Sequence, residues 1–246
     1  MNLDSRVALV TGTRRVGGVV AVELARRGAD VAIVYNTSKD EADEAAARVR
    51  DAGRRALVVQ ADVSQPASCE TLIQSVDREF ARLDVLVNMA SLYRSIPFDE
   101  MDAAAWDRQL NVDLRGSFLC AKAAVPIMRR GGGGRIINFS DWLADSERPR
   151  YKGYLAYYVA KGAVKALTEA LALELAADQI LVNAIAPGPI LAPPDTTDEE
   201  FKSVEKVTPL GRWGGAAEIA KIVLALVESD FVTGETIRVD GGRHVS

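Results

Sequence analysis

Histidine is nearly absent from this chain: His244 is the single one among 246 residues. One imidazole cannot build a multi-histidine metal site, and the only two cysteines, Cys69 and Cys120, lack the close spacing of a zinc ligand pair. No metal site is expected. Free cysteine behaves as a small buried hydrophobe, so both are read as core or helix-face residues. His244 sits third from the C-terminal end, so a Ser-His-Asp triad would have to recruit a mobile tail. Proton chemistry must then run on Tyr, Lys, Asp, Glu or water. Long apolar runs are also missing. The longest, Tyr154 to Ala160, has seven residues, far short of the roughly 20 that a membrane helix needs. The first residues, Met-Asn-Leu-Asp-Ser-Arg, offer no basic region followed by an apolar segment, so no signal peptide is expected and the default location is cytoplasmic. Positive charge is not in excess either. The net charge of −4 argues against non-specific nucleic-acid binding, and Arg26-Arg27 and Arg129-Arg130, each followed by glycine, read as solvated helix ends.

What is present is an ordinary globular composition, 48% hydrophobic and 26% charged, enough to bury one substantial core in one domain spanning 1–246. Short apolar runs alternate with helical stripes. Strands are read at Val7–Val10, Asp30–Tyr35, Arg55–Gln60, Asp84–Asn88, Arg135–Phe139, Gln179–Ile185 and Glu235–Val239. Between them come the stripe Val16, Val20, Leu24, then helices at Lys39–Asp51, Pro66–Ala81, Leu155–Ala177 and Ala216–Glu228. Trp106, Leu110, Leu114 and Phe118 recur every four residues and mark a long helix ending near Arg130. Strands apolar on both faces and separated by helices predict an α/β fold. It is a single doubly wound, Rossmann-type parallel sheet of about seven strands with helices on both faces. Its ligand belongs beyond the C-terminal strand ends. The one long irregular stretch, about 186–206, carries Pro187, Pro189, Pro193 and Pro194 and is then acidic. It is read as a loop covering substrate, with a plain surface insertion as the alternative.

After the first strand comes Thr11-Gly12-Thr13-Arg14-Arg15-Val16-Gly17-Gly18. A glycine-rich turn from strand to helix lets backbone N–H groups approach a pyrophosphate at the helix N-terminus. From the first strand to the last the chain resembles the short-chain dehydrogenase/reductase family, whose glycine pattern is Thr-Gly-x-x-x-Gly-x-Gly. Here the loop aligns one residue shorter, with Gly17 as the last glycine and Arg15 in place of the middle one. Basic residues there are similar to the pteridine reductase branch. A cofactor ribose with free hydroxyls favours a carboxylate at the end of the second strand. This strand ends Tyr35-Asn36-Thr37-Ser38, and with Arg14 and Arg15 nearby NADPH is the expected cofactor. The resemblance also makes Asp62 and Val63 adenine contacts, and Asn88-Met89-Ala90-Ser91 stands where the family has Asn-Asn-Ala-Gly. Pro187-Gly188 matches the turn beside the nicotinamide carboxamide.

Tyr157 and Lys161, four apart, share one helix face. A tyrosine with a pKa near 10 is a poor acid at neutral pH, and a nearby ammonium is expected to stabilise its phenolate and draw that value down. The pair matches the family's catalytic Tyr-Lys, and Asn111 matches the family's helix asparagine in a proton relay. Where ordinary members carry a serine that donates to the substrate carbonyl, the chain reads Asn138-Phe139-Ser140-Asp141-Trp142. Asp141 aligns with that serine, and an ionised carboxylate only accepts hydrogen bonds. It is suited to an exocyclic amine, or to a water that protonates a ring nitrogen. Asp141, Ser91 and Tyr93 all resemble the pteridine reductase branch, with Tyr93 placed to stack a pterin. The catalytic set is therefore Asp141, Tyr157, Lys161 and Asn111. Substrate would meet Ser91, Tyr93, Asp141 and Tyr157. Cofactor would meet Gly12, Arg14, Arg15, Val16, Gly17, Asn36, Thr37, Ser38, Asp62, Val63, Asn88, Ala90, Ser140, Tyr157, Lys161, Pro187 and Gly188. The expected activity is NADPH-dependent reduction of a pterin C=N bond. Carbonyl reduction of a 3-oxoacyl thioester, sugar or ketone, with Ser140 in the ordinary serine role, stays open, as does a non-catalytic NADP sensor. The resemblance implies a homotetramer.

Overall fold

Hydrophobic alternation builds the centre of the molecule. In the computed structural model, which describes residues 1–146, 149–194 and 196–245, the strand β1 (Val7–Thr11) is buried along its whole length. Val7 and Leu9 point into one apolar layer, Ala8 and Val10 into the other. A strand covered on both faces must be apolar at every position. The chain continues through α1 (Gly18–Arg26), β2 (Asp30–Tyr35), α2 (Lys39–Asp51), β3 (Ala56–Gln60), α3 (Pro66–Phe80) and β4 (Val85–Asn88). It then runs through α4 (Ala103–Leu110), α5 (Gly116–Arg130), β5 (Gly134–Phe139), α6 (Trp142–Asp145), α7 (Leu155–Leu175) and β6 (Ile180–Pro187). It ends with α8 (Asp198–Lys206), α9 (Ala216–Glu228) and β7 (Thr236–Val239).

The seven strands form one parallel sheet in the order β3-β2-β1-β4-β5-β6-β7. The fold class read from the sequence is the one observed. One layer packs Val20, Leu24, Ala42, Val49, Ile219 and Val223 from α1, α2 and α9. The opposite layer packs Leu72, Val76, Cys120, Met128 and Leu175 from α3, α5 and α7. Both cysteines lie in this second layer, with their sulfurs 3.8 Å apart. The order reverses at β1, which pairs β2 on one side and β4 on the other. At such a switch point the connections leave in opposite directions and open a crevice beyond the C-terminal strand ends.

Two expectations are corrected. The stretch 186–206 is not irregular throughout, although its Asp195 lies outside the described residues. β6 runs on to Pro187, and Asp198–Lys206 is the helix α8, started by a capping box in which Thr197 and Glu200 bond each other's backbone. The long helix marked by Trp106, Leu110, Leu114 and Phe118 is present and ends at Arg130. Phe118 is exposed, while Gln109, Asp113 and Ser117, at the same spacing, are buried. These three satisfy polar groups around the end of β4, so they turn inward, and Trp106, Leu110 and Leu114 are left half-buried. The segment Asn111–Arg115 between α4 and α5 is a π turn, which inserts a residue into an otherwise continuous helix. Lastly, His244 is no part of a mobile tail. Its ring Nδ1 sits 2.7 Å from Asp240 Oδ2 in a short 3₁₀ turn.

Candidate functional site

The residues singled out in the sequence follow the C-terminal ends of β1 to β6, except Asn111, Tyr157 and Lys161, which helices bring to the same edge. At β1, Gly12 takes the left-handed conformation with φ 73°. A Cβ there would lie 2.7 Å from Ala90 N, closer than packed atoms approach. The loop after β1 thus lies directly on the loop after β4. Thr11 Oγ1 reinforces that contact by accepting from Met89 N at 3.0 Å and Ala90 N at 3.2 Å. Arg15 has φ 58°, a conformation that costs a side-chain-bearing residue. Its guanidinium donates to Ala192 O in the segment before α8. Arg14 faces Glu41 at 3.7 Å. Beyond β2, Asn36 and Thr37 are exposed and no carboxylate stands among Asn36, Thr37 and Ser38. This donor set and the close-packed glycine turn at Gly12 and Gly17 fit a nicotinamide dinucleotide.

Several predicted cofactor contacts have their side chains engaged within the protein. Asp62 accepts from Ser64 N and Ser64 Oγ at 3.0 and 2.7 Å. Val63 is buried against Gly116, where a Cβ would meet it at 2.9 Å. Asn88 donates to Asn138 Oδ1 at 2.9 Å and to Ser117 O, tying β4 to β5. Ser91, predicted to meet substrate, donates its hydroxyl to Asp113. Val16 packs against the α1 layer. Gly188 N donates to Val239 O at 2.9 Å, joining the end of β6 to β7.

At β5 the serine and the aspartate take different directions. Ser140 Oγ donates to Lys161 O at 2.9 Å and is buried, so its hydroxyl is spent on α7. Asp141 instead meets Tyr157: the phenol donates to Asp141 Oδ2 at 2.9 Å. The other carboxylate oxygen caps α6, accepting from Leu143 N at 2.8 Å. Burial raises the Asp141 carboxyl above its ordinary value, against the lowering effect of those bonds and of Lys161. Burial raises the Tyr157 phenol well above 10, and Asp141 and Asp113 push it further the same way. The net direction is therefore upward, because burial and the two carboxylates outweigh the lowering expected from Lys161. Lys161 Nζ lies 5.6 Å from the centre of the Tyr157 ring, donates to Phe139 O at 2.8 Å, and pairs with Asp113 Oδ1 at 3.2 Å.

Tyr93 stacks on Tyr154, ring centres 4.8 Å apart, and meets Tyr157 edge-on at 5.1 Å. It stays 54% exposed. Asn111 opens the π turn, which packs against α7. Asp113 and Gln109 escaped the sequence reading. The signal was there in Gln109, Asp113 and Ser117 at four-residue spacing, a polar stripe beside the apolar one.

A switch-point crevice, a glycine turn and a buried tyrosine paired with a carboxylate define a nucleotide-dependent oxidoreductase site. Residues 11–244 match the family model described as enoyl-(acyl carrier protein) reductase. A short-chain type dehydrogenase/reductase of Picea abies is 35% identical, the match covering 98% of this chain and 93% of that protein. The NADPH-dependent aldehyde reductase 2, chloroplastic, of Arabidopsis thaliana is also 35% identical, covering 98% of this chain and 94% of that one. Among solved structures, a blue fluorescent protein from a metagenomic library in complex with NADPH superposes with a TM-score of 0.90 at 34% identity, covering 99% of both chains. The chain belongs to the short-chain dehydrogenase/reductase family.

Proposed function

We propose that the chain is an NADPH-dependent reductase acting on a C=N bond of a pterin ring. The observation that carries this reading is the 2.9 Å contact of Tyr157 with Asp141, where Ser140 is turned away to Lys161 O. Arg14, Arg15, Asn36, Thr37 and Ser38 would hold the phosphorylated end of the cofactor, and Lys161 and the Pro187-Gly188 turn its nicotinamide end. Bound there, reduced nicotinamide supplies a hydride to a ring carbon of the substrate. Tyr157 gives the matching proton to the neighbouring nitrogen as the C=N electron pair moves onto it. Asp141, acceptor only while ionised, suits an exocyclic amine of the substrate or a water that relays the proton. Tyr93 offers its half-exposed ring for stacking.

Carbonyl reduction is the second reading, favoured by the relative named for NADPH-dependent aldehyde reduction. In that case Tyr157 alone would protonate the oxygen, because the Ser140 hydroxyl is engaged. The deciding experiment compares dihydrobiopterin and dihydrofolate with ketone and aldehyde panels, under NADPH and under NADH. Turnover of pterins with NADPH preferred is expected. Turnover of carbonyls with none of pterins sinks the first reading, and a preference for NADH sinks the cofactor reading. A homotetramer, implied by the family, goes with this proposal. Exposed apolar side chains on α5 and α7, Phe118 and Leu173 among them, offer surface for it, and sedimentation would measure it. The reading also keeps the enzyme in the cytoplasm, consistent with the absence, among the described residues, of any helix long and apolar enough to cross a membrane.

A further inference from the structure

Arg243 begins the 3₁₀ turn that follows β7, and only 8% of it is exposed. A buried guanidinium needs acceptors for its donors. Nη1 donates to Val204 O, a carbonyl of the last turn of α8, at 3.1 Å and lies 3.4 Å from Thr208 Oγ1. Nη2 donates to Tyr151 OH at 3.2 Å. The guanidinium carbon also lies 5.6 Å from the centre of the Trp142 ring, within cation–π reach. One side chain thus joins the end of α8, the segment 149–154 and the start of α6. The chain leaving α8 is docked on the same turn: Leu210 N donates to Gly241 O at 3.2 Å, and a Cβ on Gly241 would lie 2.9 Å from Thr208 Cγ2.

Each of the three joined pieces adjoins a group of the crevice. Trp142 follows Asp141, whose carboxylate takes the Tyr157 hydrogen bond. Gly153 O accepts from Ile96 N at 2.8 Å, which ties the segment 149–154 to the one that carries Tyr93. Helix α8 follows the proline segment that Arg15 meets at Ala192. A guanidinium presents its donors as a rigid fork, so it holds two acceptors on different elements at a set separation. We propose that Arg243 is a positioning residue. It clasps α8 to the segment 149–154 and so fixes the side of the crevice where substrate would meet Tyr93 and Asp141, without touching substrate or cofactor itself. The inference rests on Asp141 and Tyr157 being the reacting centre proposed above, and it holds for a pterin or a carbonyl substrate alike.

The test is a double-mutant cycle of Arg243→Met and Tyr151→Phe, run with dihydrobiopterin or with whichever carbonyl compound the panel shows to be turned over. Arg243→Met keeps the apolar stem and loses the donors. KM for that substrate is expected to rise about tenfold, with kcat little changed and NADPH binding, read by fluorescence, unaltered. Tyr151→Phe removes one acceptor and should raise KM about fivefold. The double variant should match Arg243→Met, because both substitutions break one contact. Arg243→Lys keeps the charge but reaches one acceptor at a time, so its KM stays raised. Hydrogen exchange in Arg243→Met should speed up in 149–154 and 198–206 together, with the sheet unaffected. Independent, additive effects of the two substitutions overturn the proposal, as does a parent-like KM in Arg243→Lys. Should Arg243→Met not fold, a parent-like KM in Tyr151→Phe, at a residue 44% exposed, overturns it. Should neither panel be turned over, the function proposed above has failed, and exchange then decides the clasp alone: unchanged rates in 149–154 overturn it.

Discussion

Tyr157 is buried among two carboxylates and one ammonium; burial above all, and then the carboxylates, put its phenol well above the ordinary value. It therefore holds its proton at neutral pH until arriving hydride makes the substrate atom basic enough to take it. Replacing it with phenylalanine should lower turnover by about two orders of magnitude or more, while NADPH binding, followed by fluorescence titration, changes little. Asp141 carries a different cost. Burial raises its carboxyl above 3.8, so the folded chain binds this proton more tightly than the unfolded chain does. Its stability contribution is full below 3.8 and declines as pH rises through the raised value. Asp141→Asn, which retains an acceptor for Leu143 N and turns an amide N–H toward the Tyr157 oxygen, should hold or raise the melting temperature at neutral pH. If pterins are the substrates, as proposed, it should also cut their turnover by about a hundredfold. A stability loss at neutral pH would show that the charge itself supports the fold.

At the scale of elements, three local devices shape the crevice. The π turn at Asn111–Arg115 brings Asp113 to Lys161. Arg15, at φ 58°, spends backbone strain to present a guanidinium to the segment before α8. Arg15→Gly should relieve that strain, leaving the melting temperature equal or higher. The Michaelis constant for NADPH should rise, since one of the two basic side chains of the turn is gone. The helix α8 depends on its first turn, where Thr197 Oγ1 accepts from Glu200 N at 3.2 Å and Glu200 Oε2 accepts from Thr197 N at 2.9 Å. Thr197→Ala should weaken this helix by about 1 kcal/mol. Hydrogen exchange should speed up in residues 198–206 with the sheet unaffected. Much of this level was legible. The strands β2 and the helices α2 and α9 fall where apolar periodicity puts them, because their buried faces are uninterrupted. The helix α8 was not, since its charged residues carry no apolar stripe and no core requires it; a capping box made by Thr197 and Glu200 starts it.

Across the whole molecule, the two ends of the sheet do different work. Reactive groups gather at the C-terminal strand ends, and ion pairs hold the N-terminal side. There Asp84 is buried and takes hydrogen bonds from Arg82, Val7 N and Arg6. Burial alone would raise this carboxyl; the hydrogen bonds outweigh burial and hold it below 3.8. The folded chain thus releases this proton more readily than the unfolded one. The stability it contributes is present above 3.8 and is lost as pH falls through the lowered value. Asp84→Asn should destabilise the protein at neutral pH, leaving two arginines without their acceptor charge. It should also flatten the acid limb of an unfolding curve measured by circular dichroism.

The near absence of histidine, the glycine turn and the Tyr157–Lys161 spacing were enough to determine the class of fold and the kind of chemistry. Periodicity and residue type act locally, and local rules are written along the chain. The directions of Ser140 and Asp141 are another matter. Adjacent residues at the end of β5 point apart, and only the packing of α7 against that strand decides which one meets Tyr157. The acidity of Tyr157 was decided the same way. Lys161 lies one helical turn away in sequence, but Asp113, brought in by the π turn and locked by Gln109 and Leu92 N, is remote along the chain. Electrostatics depends on distance through a buried medium, and that distance exists only once the helices have packed.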